Sequence, residues 1–116
     1  MLFRSQMTTP TLVVVGDQDV NPHLTVRGAE WHTDAYNFGP GCNALLTLNG
    51  GKHGLGGVAG FDAKETDDED SNRLALTQKL SLAYLVTSLY PDDPSWGLAC
   101  KMVATDAKEA GRIDLK

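Results

Sequence analysis

Residues 10–19 read PTLVVVGDQD, and the five residues from Thr11 to Val15 are apolar or β-branched with no polar alternation. A strand wetted on one face alternates, whereas a strand covered on both faces does not. This run therefore suits the interior of a parallel sheet. Gly16, Asp17 and Asp19 mark its exit with turn-forming residues. A second run of the same buried type, ALLTL from Ala44 to Leu48, leaves into NGGKHGLGG at residues 49–57. One imidazole, His53, thus sits between glycine pairs at the mouth of a second buried strand.

The intervening and following residues supply helices. Asn21-Pro22 offers an N-cap followed by proline at the first helical position, which predicts a helix from about Pro22 to Tyr36, stopped by Gly39-Pro40-Gly41. Residues 62–70, DAKETDDED, are acidic, and Ser71 and its neighbours can cap a long helix ended by Pro91. Its apolar positions, Leu74, Leu76, Leu80, Leu82, Leu85, Val86 and Leu89, spread beyond one stripe and predict a largely buried helix. A short helix around Trp96 to Val103 and a polar tail over 104–116 complete the reading.

Strand, helix, strand, long helix is the order of an α/β fold with a parallel sheet. Two strands and one long helix do not close a core, since each strand expects parallel neighbours and helices on both faces. The expected architecture is a single unit, 1–116, with few parallel strands, flanking helices and an incomplete sheet.

The bulk properties exclude several functions. With 116 residues the chain fits one domain or part of one. A net charge of −5 with no cluster of Lys and Arg argues against nucleic acid. No apolar run approaches the roughly 20 residues that span a bilayer, and no charged-then-apolar leader pattern opens the sequence. Cys42 and Cys100 lack CxxC spacing and read as reduced thilos of a cytoplasmic protein rather than a disulfide framework.

Cofactor patterns fare no better. GLGGVA, Gly54 to Ala59, matches a dinucleotide fingerprint formally, but no helix signal opens at its end. Lys52 is followed by His53 rather than Ser or Thr, so no phosphate loop is present. The acidic run lacks calcium-loop spacing, and His23 and His32 are not at the i, i+4 spacing of a helical zinc pair. No cofactor and no metal is expected. Trp31, Tyr36, Tyr90 and Trp96 read as packing residues.

TPTLVVVGDQDV at 9–20, then ALLTLNGGKHGLGG at 44–57 and a long apolar helix, resembles the C-terminal part of an α/β-hydrolase over roughly residues 8–100. The nearest likeness is to bacterial enzymes of the dienelactone-hydrolase or esterase type, in which a similar HGLGG loop, an acidic stretch and a helix ending near LYPDDPSW succeed one another. The resemblance implies that the last strands of a parallel sheet present the acid and the histidine of a Ser/Asp/His triad. His53 then matches the general base and Asp19 the carboxylate that orients it. Asp17, nearer the strand, is the alternative acid, with turn formation as its other reading, and Asp19 likewise has an Asx-turn or helix-cap reading. The chemistry suits the placement. A nucleophile needs an imidazole to take its proton, and the imidazole needs a carboxylate on its other nitrogen. Loops beyond the carboxyl ends of parallel strands converge in one crevice.

The third member is missing. No G-x-S-x-G elbow occurs in the sequence, and the serines at 5, 71, 81, 88 and 95 fall outside any strand-to-helix turn. Cys42 and Cys100 are not on an elbow either. Two classes of function follow. One is an ester-type hydrolase of which this chain holds acid and histidine, inactive alone and completed by an N-terminal half or another chain. The other is a non-catalytic α/β module that self-associates through an open sheet edge.

Overall fold

The computed structural model describes residues 6–20, 27–58, 60 and 69–116. Among these it forms an α/β unit with a three-stranded mixed sheet in the order β1-β2-β3. β1 is Thr11–Gly16 and β2 is Cys42–Leu48; they run parallel, in register from Leu12 opposite Ala44 to Gly16 opposite Leu48. β3, Gly111–Leu115, pairs antiparallel with β2. Residues 104–116 are therefore not a polar tail. Arg112-Ile113-Asp114-Leu115 alternates polar and apolar, the pattern of an edge strand with one dry face, and Ile113 packs on the core.

The connection from β1 to β2 also differs from expectation. Asn21-Pro22 lies outside the described residues, but Gly28 is extended (φ −74°, ψ −175°), so no single helix runs from Pro22 to Tyr36. A 3-10 turn at Ala29–Thr33 instead leads directly into helix α1, Asp34–Phe38. Pro40 disfavours helical backbone at Gly39, which is extended and ends α1.

Helix α2, Ser71–Leu89, is capped by Asp70, the neighbour of Ser71. The Asp70 carboxylate accepts from the amides of Asn72 and Arg73, both at 2.9 Å. Helix α3, Ser95–Thr105, follows the Pro91 break. The core is Leu46 and Leu48 of β2 against Leu76, Leu80 and Ala83 of α2 and Ala99 and Val103 of α3. Leu12 and Val14 of β1 pack on its rim. Side chains alternate across a strand, so buried Leu45 faces the other side of the sheet, where α1 lies against β2. β2 is thus covered on both faces, as its unbroken apolar pattern requires.

One expectation about α2 fails. The helix buries Leu76, Thr77, Leu80 and Ala83, but Leu82, Leu85 and Leu89 are exposed. Sheet and α3 cover one side of the helix, and no described residue covers the other.

Candidate active site

The two parallel strands end side by side, and their exits are tied together by backbone. Asp17 and Gln18 turn the chain after β1, and the Gln18 amide donates to the Gly51 carbonyl at 2.8 Å. Gly16 and Gly51 touch back to back; a Cβ on Gly16 would lie 2.2 Å from the Gly51 carbonyl oxygen. This approach requires glycine for space, and it sets the distance between the two loops. Asp17 serves the same junction, its carboxylate accepting from the Gly50 amide at 2.8 Å.

On the far side Asn49 fixes the exit of β2. Its amide nitrogen donates to Ala110 O at 2.8 Å and its side chain to Glu109 O at 3.0 Å, while its carbonyl accepts from Arg73 Nε at 3.0 Å. The loop beyond it turns tightly, with Leu55 at φ 51° and Gly56 at φ 85°. Leu55 holds a left-handed backbone unusual for its type, and its side chain packs on the core. The loop is therefore anchored at both ends and in its middle.

The anchored loop carries His53 to Asp19. His53 Nδ1 lies 3.0 Å from Asp19 Oδ2. The Asp19 side chain is 11% exposed and that of His53 is 83% exposed. An ionised carboxylate only accepts, so the bond places the proton of His53 on Nδ1. Of the two candidate acids, Asp19 meets the imidazole and Asp17 takes the turn amide.

A third residue belongs to this cluster that the sequence reading weighed only as half of a zinc pair. His32, in the 3-10 turn, places Nε2 3.4 Å from the same Asp19 Oδ2. That contact falls outside hydrogen-bond geometry, and Nε2 is buried without a hydrogen-bond partner. Its ring lies 6.2 Å from the His53 ring and 5.2 Å from that of Trp31. Placed on a helix starting at Pro22, His32 would stand about 15 Å down the helix axis from the strand exits. The later start at Ala29 keeps it at the carboxyl end of the sheet. His23, its supposed partner, lies outside the described residues, and among the described residues no three His, Cys, Asp or Glu side chains are arranged to hold a metal.

Among the described residues no serine or cysteine hydrogen-bonds His53. Ser71, Ser81 and Ser88 lie on α2, where Ser88 donates to Tyr84 O at 2.7 Å, and Ser95 bonds Asp93 at the start of α3. Ser5 and most of the acidic run fall outside the described residues, apart from Glu69 and Asp70. Cys42 is buried in β2 and Cys100 half-buried in α3, both unpaired, and burial pushes the Cys100 thiol above its ordinary range. A thiol so shifted is protonated at neutral pH and makes a poor nucleophile. Tyr84 and Trp96 pack edge to face at 5.1 Å, as packing residues. No described helix is long and apolar enough to cross a membrane. No family model, curated protein or solved structure matches the chain.

Proposed function

We propose that this chain carries the acid and the base of an α/β-hydrolase triad, with ester or related bonds as the substrate class. The single observation behind the reading is the 3.0 Å contact between His53 Nδ1 and Asp19 Oδ2 at the carboxyl ends of adjacent parallel strands. With Nδ1 engaged, Nε2 is left for a nucleophile's proton, the division of labour that triad chemistry needs. Asp19 stabilises the imidazolium formed when His53 takes that proton. The nucleophile and the oxyanion donors come from outside this sequence, from an N-terminal half or a second chain. Alone, the chain should neither turn over a small ester nor label with a serine-reactive fluorophosphonate. Supplying a segment that bears a G-x-S-x-G elbow should restore labelling, and His53→Ala should abolish it. Labelling of the isolated chain that depends on His53 would overturn the reading, as would restored labelling indifferent to His53.

A second reading has an observation of its own. Leu82 of α2 and Leu98 of α3 are exposed on a surface that also includes half-buried Val86 and Met102. Apolar side chains grouped in this way favour association, and the outer edge of β1, unpaired among the described residues, offers a further contact. A self-associating module should sediment as a dimer at micromolar concentration, with Leu82→Lys shifting it to monomer. A compact monomer that unfolds cooperatively at that concentration would end this reading.

A further inference from the structure

We propose that His32 is a positioning residue for Asp19, donating from Nε2 to the carboxylate oxygen that also receives His53. The inference rests on reading Asp19 and His53 as an acid and base pair, and adds a third residue to it. His32 Nε2 is buried, makes no hydrogen bond and faces Asp19 Oδ2 at 3.4 Å. A ring nitrogen in that place has two states. As a bare lone pair it would face a carboxylate oxygen and repel it; as N–H it would attract it. A buried polar group without a partner is also costly, so the N–H state is favoured by the carboxylate and by the burial alike. Turning this 3.4 Å contact into an ordinary hydrogen bond requires a reorientation of the ring or carboxylate that closes about 0.4 Å and brings the N–H into line with Oδ2.

The surrounding charges point the same way. Asp34, on α1, accepts from Arg27 on both carboxylate oxygens at 2.7 Å, and Asp17 accepts from the Gly50 amide. Asp19 is the carboxylate within 4 Å of His32 among the described residues. Two donors on one oxygen fix the carboxylate against rotation about its last torsion, and a carboxylate held still keeps His53 in one tautomer and one direction. The Trp31 ring at 5.2 Å restrains His32 on its other side.

The test reads ring nitrogens directly in the 116-residue chain, by long-range ¹H–¹⁵N spectra at a pH where both imidazoles are neutral. In the wild-type chain His32 should carry its proton on Nε2 and His53 on Nδ1. His32→Phe keeps a flat ring and removes the donor. It should lower the ratio of Nδ1–H to Nε2–H in His53 about fivefold, the change that one ordinary hydrogen bond corresponds to. His32→Gln restores an N–H donor and should recover most of that ratio. A merely structural ring would give the opposite pattern, with Phe tolerated and the His53 tautomer unmoved. Finding the His32 proton on Nδ1 in the wild-type chain overturns the proposal, as does a His53 ratio unchanged in His32→Phe. If that variant does not fold, the wild-type tautomer and His32→Gln decide the matter. None of these readouts needs a nucleophile, so a failed complementation with an elbow segment would sink the hydrolase reading and leave them as they are.

Discussion

Gly16→Ala separates the strand junction from everything else in the molecule. The added Cβ would sit 2.2 Å from Gly51 O and 2.4 Å from its carbonyl carbon, where real contacts do not fall under 3.0 Å. Both obstructing atoms are backbone, so no side chain can turn aside, and the two strand exits must part by about 0.8 Å or more. Two bonds cross that gap, Gln18 N to Gly51 O and Gly50 N to Asp17 Oδ1, both at 2.8 Å. At about 1 kcal/mol each, with about 1–3 kcal/mol for overpacking, the substitution should cost roughly 2–4 kcal/mol after partial relaxation. Against the roughly 5–15 kcal/mol of an ordinary domain, that is a large loss, and urea unfolding followed by far-ultraviolet circular dichroism would show it plainly. The same spectra that report ring tautomers should show His53 released from Asp19. A Gly16→Ala chain within about 0.5 kcal/mol of wild type and with an unchanged His53 would refute the claim that this glycine contact sets the site.

Gly97 is the matching control. It lies in the first turn of α3 with nothing within 4 Å of a built Cβ. Gly97→Ala should therefore raise stability by roughly 0.5–1 kcal/mol in the same assay, because alanine removes the entropic penalty of glycine in a helix. Acid should expose a second local device. Bonds from the Ser95 hydroxyl and amide hold the Asp93 carboxyl below its usual range. A depressed carboxyl contributes stability above its unfolded value of 3.8 and loses it as pH falls through the lower folded value. Ser95→Ala should therefore flatten the fall in melting temperature below about pH 4, and an unchanged acid limb would dismiss the bond.

What could be read from the sequence followed from burial. β2 announces itself because a strand covered on two faces cannot alternate; β1 carries the same unbroken pattern although Thr11–Val14 are only half-buried, and both exits could be placed because Gly16 and Asn49-Gly50-Gly51 stop the runs. β3 was hidden because a half-buried edge strand of Arg112-Ile113-Asp114-Leu115 carries two apolar residues and resembles solvated chain. The crossover was misread as one unbroken helix because Asn21-Pro22 is a strong local signal, while the extended backbone at Gly28 that interrupts it belongs to the tertiary path. That one error moved His32 away from Asp19. The exposed leucines of α2 misled for the converse reason, since a wide apolar arc shows that a surface wants covering and says nothing about what covers it. The distinction between Asp17 and Asp19 lay beyond the sequence, because both follow the strand and only the turn decides which carboxylate faces His53.

The sheet also says from which side a nucleophile would have to come. β2 has two neighbours, and β3 on one side runs antiparallel, with Gly111 opposite Leu48 and Leu115 opposite Ala44. The strand end that β3 brings to the crevice is therefore its entry, and its exit lies at the far end of the sheet. A nucleophile elbow follows the carboxyl end of a parallel strand, and that position beside β2 is filled. Among the described residues the outer edge of β1 is the place left for one, next to the exit that carries Asp19. An added parallel strand there would set its own carboxyl end on the Asp19 side of the crevice, with His53 beyond. The same edge is the further contact proposed for self-association, so for a dimer that pairs along it the two uses compete. A segment that completes the triad should dissociate any dimer paired along β1, and complementation that leaves such an edge-paired dimer intact would mean that the nucleophile does not enter along β1.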